Sequence, residues 1–162
     1  ARVVGELHGP FLYPHNDNGE NDRMNAHDAV SHPSHYTSSR WPRECIDFSR
    51  HMSFLAGNAF KYVWRHADKG TAGGVDLRKA VQYLEWARED NVGALVEVPT
   101  VGLPSAPLVT IREDVADCVV YAMDRSLGVP TRTAYLALVW IVLGRYDDAL
   151  ATIHVALSFL EE

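Results

Sequence analysis

Asn58, Lys61, Tyr62 and Arg65 are spaced three and four residues apart in the run Gly57-Asn58-Ala59-Phe60-Lys61-Tyr62-Val63-Trp64-Arg65. On a helix, that spacing places an amide, two cations and an aromatic ring on one face. Such a face can hold a phosphate and a base, and it makes a poor core stripe. Lys69 continues the four-residue spacing of Lys61 and Arg65, and Arg78 and Lys79 follow on the next helical stretch. A nucleoside triphosphate needs several cations to replace its hydration, and arginine can grip phosphate oxygens with two parallel bonds. The structural alternative is a solvated face balanced by Asp and Glu.

Carboxylates and histidines lie around this run. Glu44 and Asp47 are three apart and share a face if Pro42 opens a helix. Paired carboxylates suit a Mg²⁺ ion carried by nucleotide phosphates. Asp76 can join them as a metal ligand or cap its own helix. Of the eight histidines, His32 and His35 flank Pro33. Either could orient a phosphate or move a proton near neutral pH, or shape a turn. His32-x-x-His35 with Cys45 is open to a zinc reading, but the spacing matches no closed four-ligand pattern. Tyr36, Tyr62, Trp64 and Tyr83 are the nearby rings, with Tyr36 and Tyr62 chosen to stack on a base. No Walker A loop is present, because Lys69-Gly70-Thr71 and Gly73-Gly74 stand in the wrong order for one. Phosphates would instead rest on side chains, helix N-termini and the Gly73-Gly74 backbone.

The ordered blocks HPSHY (His32–Tyr36), Glu44-x-x-Asp47, GNAFKYVWR, Lys69 and DLRKAVQYLE (Asp76–Glu85) resemble a small phage nucleotide kinase-like family. That family was long catalogued as of unknown function, and one coliphage member phosphorylates deoxynucleoside monophosphates. The resemblance covers roughly residues 30 to 86. It implies a phage enzyme of deoxynucleotide metabolism in the host bacterial cytoplasm. The implied reaction is phosphoryl transfer from ATP to a (deoxy)nucleoside monophosphate, with Mg²⁺ and without a P-loop. Residues and resemblance together assign catalysis to His35, Lys61 and Arg65. Nucleotide contacts fall to His32, Tyr36, Asn58, Lys61, Tyr62, Arg65, Lys69 and Lys79, and the metal to Glu44, Asp47 and Asp76.

Two other functions compete. The segment Glu113-Asp114-Val115-Ala116-Asp117 resembles the second acidic helix of the all-α MazG-like pyrophosphatases. The earlier helix of that pattern would carry Glu85 and Glu89, but Trp86 stands where a second Glu belongs. Glu113 also suits a capping box with Thr110. In this reading metals activate a water that attacks a nucleoside triphosphate. The other rival is a non-catalytic phage protein that binds a nucleotide or inhibits a host protein.

The elements that must position these groups are helical. A length of 162 residues with 47% hydrophobic content fits one domain with a real core. The net charge of −6 argues against general nucleic-acid binding and leaves room for a local basic pocket. The two cysteines, Cys45 and Cys118, read as buried thiols. No apolar signal segment follows Arg2, and the apolar run Tyr135–Leu143 is too short to span a bilayer, so no membrane role is expected. Residues 1–40 are rich in Gly, Pro, Asn and Asp and read as an irregular arm. The helical domain, 41–162, divides into a nucleotide-binding half (41–92), a Pro/Gly loop (93–109) and C-terminal helices (110–162).

Helices are expected from Pro42, from a Ser53 cap to about Ala67, and from an Asp76 cap to near Asn91. Others should run from Thr110 to Leu127, from a Thr131 cap to Leu143, and from Asp147 to Leu160, with a turn at Gly144. The fold class is all-α, a compact bundle of five or six helices with that N-terminal arm. The 131–143 helix is apolar almost all round, so it is either central or covered by a partner. A homo-oligomer through residues 131–160 is expected.

Overall fold

The computed structural model describes residues 40–96, 108–124 and 128–160. Six α-helices form among them: α1 (Cys45–Ser49), α2 (Phe54–Arg65), α3 (Gly73–Glu89), α4 (Leu108–Met123), α5 (Val129–Val142) and α6 (Tyr146–Ser158). A 3-10 helix, His66–Ala72, joins α2 to α3. Among the described residues there is no strand, only an isolated antiparallel bridge between Met52 and Leu95. The chain is therefore an all-α bundle. No described helix is long and apolar enough to cross a membrane. The expected arm, with His32, His35 and Tyr36, and most of the Pro/Gly loop lie outside the described residues.

The helices form where a buried stripe repeats at helical spacing. On α2 that stripe is Ala56, Ala59, Phe60, Val63 and Trp64. On α3 it is Leu77, Ala80, Leu84 and Ala87, with Asp76 beside it. The α2–α3 pair and the α5–α6 pair are the two most closely packed helix pairs. They join through α3 against α6 and α2 against α5, while α4 packs on α5 and α1 on α2. Trp64, Tyr135, Phe48, Phe60 and Leu138 are fully buried at the junction. Trp41 stacks on Trp64 with ring centroids 3.8 Å apart and meets Tyr135 edge-on. Both sequence halves thus share one core.

Several expected helix starts are corrected. Pro42 lies before α1, whose N-cap is Glu44. Asp76 does not cap α3, which opens three residues earlier at Gly73. A Cβ at Gly73 would come within 2.5 Å of the His66 carbonyl oxygen, so only glycine lets α3 start against the 3-10 turn. Gly70 turns the chain there with a positive φ of 55°. Helix α4 begins at Leu108, which places Thr110 inside the helix and removes its capping box with Glu113. Gly128, not Thr131, is the N-cap of α5, with Pro130 in the first turn where its missing N–H costs nothing. Ser53 does stand at the N-cap of α2, and Gly144 (φ 72°) turns the α5–α6 hairpin.

The all-round apolar helix takes the central position. Ala134, Tyr135, Ala137, Leu138, Ile141 and Val142 of α5 are buried between α2, α4 and α6. Leu136 and Leu143 remain exposed.

Candidate functional site

Helices α2 and α3 run antiparallel, because Phe54 at the start of α2 meets Tyr83 late in α3 and Arg65 at the end of α2 meets Asp76 early in α3. Their buried stripes face the core and leave two outer stripes side by side. One is Phe54, Asn58, Lys61, Tyr62 and Arg65. The other is Asp76, Lys79, Tyr83 and Trp86, which repeats the same three- and four-residue spacing.

Tyr62 is the hub. The Lys61 Nζ lies 5.2 Å from its ring centroid, the Arg65 guanidinium carbon 4.7 Å, and the Lys79 Nζ 5.4 Å. An aromatic face attracts cations through its quadrupole. Lys61 donates from Nζ to Asn58 Oδ1 at 2.9 Å, and Asn58 Nδ2 donates to the Phe54 carbonyl at 2.8 Å. Arg65 grips Asp76 with two bonds, Nε to Oδ2 at 2.9 Å and Nη2 to Oδ1 at 3.2 Å. Lys79 Nζ is 4.0 Å from Asp76 Oδ1. The Asp76 side chain is only 6% exposed and that of Arg65 16%. Each sits at the helix end whose dipole favours it, the cation in the last turn of α2 and the carboxylate in the first turn of α3. Among the described residues, three cations gather here around the buried Asp76 carboxylate, on a chain of net charge −6.

The structure thus brings together Asn58, Lys61, Tyr62, Arg65, Lys79 and Asp76 of the expected set. Asp76 acts in this arrangement as the anchor of Arg65. Lys69 is exposed on the 3-10 turn, apart from the cations around Tyr62. Glu44 and Asp47 form a reciprocal capping box on α1, in which the Glu44 N–H donates to Asp47 Oδ2 at 3.1 Å. Asp47 also lies 3.7 Å from Arg43 Nε. Among the described residues no three His, Cys, Asp or Glu side chains converge as a metal site. In this arrangement Glu44 and Asp47 serve the α1 cap and Asp76 serves Arg65.

The two acidic helices of the pyrophosphatase pattern pack on different neighbours. Helix α3, with Glu85 and Glu89, packs on α2 and α6, whereas α4, with Glu113 and Asp117, packs on α5. Cys45 is buried, with its thiol pushed up to about 12 by desolvation. A cleft of about 460 Å³ beside the α3 start is lined by Gly70, Gly73, Gly74, Arg78 and Thr131. The Gly73 N–H there donates to the Gly70 carbonyl, so that part of the glycine backbone is already bonded.

Sequence reasoning underrated Tyr83 and passed over Phe54. Tyr83 stacks on Tyr62 at 5.7 Å with a 26° interplanar angle, and Phe54 and Trp86 both meet Tyr83 edge-on, at 6.2 and 5.4 Å. The signal was available in the matching spacing of Asp76, Lys79, Tyr83 and Trp86. Behind the site, His66 is buried and donates Nδ1–H to the Val63 carbonyl at 2.6 Å. Burial pushes its pKa down, so the ring is neutral near pH 7.

Residues 30–85 match a family described as protein of unknown function, DUF3310. The matched segment takes in α1, α2, the 3-10 turn and most of α3, and so contains both outer stripes except Trp86. No curated protein and no solved structure matches the chain significantly.

Proposed function

We propose that this protein binds a nucleotide by its phosphate at the Tyr62 cluster and acts as a kinase-like phosphotransferase. The observation that carries the binding half is the gathering of Lys61, Arg65 and Lys79 around one ring, with the buried Asp76 carboxylate between Arg65 and Lys79. Ammonium groups carry three donors each, and a phosphate supplies the acceptors. Asp76 holds the Arg65 charge in place, so less side-chain freedom is lost when an anion arrives. The phosphotransfer half rests on the resemblance to the phage kinase-like family. In such chemistry positioning and charge neutralisation provide most of the catalysis. ATP is the proposed donor, a (deoxy)nucleoside monophosphate the acceptor, and the host bacterial cytoplasm the setting. No step is assigned to Mg²⁺, because the named carboxylates are committed elsewhere.

That same commitment favours one second reading, a non-catalytic nucleotide binder. Product analysis separates the two. A kinase yields diphosphate only when ATP and a monophosphate are both present. A binder yields none, yet its melting temperature rises with the nucleotide. Neither product nor a rise in melting temperature with the nucleotide would count against both. Assembly through residues 131–160 is a separate part of the proposal. It would draw on Leu136, Leu143, Val155, Phe159 and Leu160, which stay exposed.

A further inference from the structure

The cation cluster occupies only one end of the α2–α3 outer stripes. At the other end stand Phe54, 74% exposed, and Trp86, 44% exposed. Phe54 is the most exposed large hydrophobic residue of the described fold, and Trp86 is also open to water. Both lean edge-on against Tyr83, which in turn stacks on Tyr62. Four rings thus run continuously from open aromatic surface to the cations. Tyr62 itself is engaged by Tyr83 and by three cations, so it is poorly placed to take a base as well.

We infer that Phe54 and Trp86 form the platform on which the nucleobase stacks, while the Lys61–Arg65–Lys79 cluster takes the phosphate. The inference rests on the phosphate-binding reading above and adds the residues that recognise the rest of the ligand. The spacing is suitable. Phe54 and Lys61 are seven residues apart on one helix, about 10 Å along its axis at 1.5 Å per residue. A nucleoside monophosphate laid along the stripe puts its phosphate and its base at opposite ends in that way. Exposed aromatic faces stack on any base without reading its hydrogen-bonding edge, so the platform favours nucleotides over sugar phosphates and discriminates weakly among bases. Covering Phe54 and Trp86 with a base also removes apolar surface from water.

Calorimetry of the full chain with a deoxynucleoside monophosphate and with deoxyribose 5-phosphate tests this. The wild type should bind the nucleotide about tenfold or more tightly than the sugar phosphate, the range of one stacked base. Phe54→Ala combined with Trp86→Ala should remove that advantage and leave the sugar phosphate affinity unchanged. Trp86→Phe should keep the advantage but lose the tryptophan quenching that the nucleotide produces in the wild type. Both side chains are exposed, so the variants should fold normally. If the double variant keeps the full advantage of nucleotide over sugar phosphate, the platform is wrong and phosphate binding stands. If Lys61→Ala leaves both ligands unaffected, or if the wild type binds neither, the phosphate site fails and the platform falls with it.

Discussion

Two arginine–carboxylate groupings in this chain differ in how deeply the fold buries them. Arg65 and Asp76 bridge α2 and α3 with two hydrogen bonds, at 16% and 6% side-chain exposure. Arg43 lies near Asp47 and donates to Asp114 at 2.7 Å, with all three side chains 36% to 41% exposed. Water screens the second grouping and weakens it, whereas the first has little solvent to fall back on. A buried pair holds its geometry, and so it can present Arg65 and its lysine neighbours at fixed positions around Tyr62. An exposed pair mainly tidies a surface.

The largest effect should come from breaking the buried pair. Asp76→Ala leaves Arg65 without its anchor, and loss of one partner of such a pair costs about 3–5 kcal/mol. Denaturant melts that shift by less than a third of this would place Asp76 in the same class as Asp47. Arg65→Ala should destabilise on a similar scale, so it is a poor probe of ligand binding. Lys61→Ala is the cleaner probe. It should weaken nucleotide binding by about 1.5–3 kcal/mol, the scale of hydrogen bonds to charged groups, with little change in melting temperature.

His66, packed edge-on to Tyr135 between the two helix pairs, should make stability pH-dependent. Its folded pKa lies below the ordinary value of 6.5, so the unfolded chain takes up a proton first as the pH drops. Its stabilising contribution is therefore complete above about pH 6.5 and declines as the pH falls toward the folded pKa. Melting curves at pH 7.5 and 5.5 should diverge in the wild type and converge in His66→Gln. The smallest effects belong to the exposed grouping. Asp114→Asn should cost less than about 1 kcal/mol. Asp47→Asn should cost about 0.5–2 kcal/mol through its cap and leave turnover in place. Loss of turnover in a folded Asp47→Asn protein would instead return a metal role to that carboxylate.

The helices were legible because their stripes repeat cleanly, as Ala56, Ala59, Phe60, Val63 and Trp64 do. Their starts were not. Asp76 has the chemistry of an N-cap, but a neighbouring cation recruited it into the helix–helix contact, and Gly73 allowed α3 to begin earlier. The outward face of α2 was legible in the spacing of Asn58, Lys61, Tyr62 and Arg65. Its partner face on α3 repeats that spacing through Lys79, Tyr83 and Trp86, but only the antiparallel pairing of the two helices brings the two faces alongside. Glu44 and Asp47 show the converse, because three-residue spacing serves a capping box as well as it serves a metal, and a five-residue helix needs the cap.

The central claim is that the Tyr62 cluster is an anion site, and one titration tests it most directly. Wild type and Lys61→Ala/Lys79→Ala protein are titrated with a deoxynucleoside monophosphate at low salt and followed by calorimetry. Binding to the wild type should be saturable, and the double variant should lose affinity at least about tenfold at unchanged melting temperature. Equal binding by both proteins would contradict the claim.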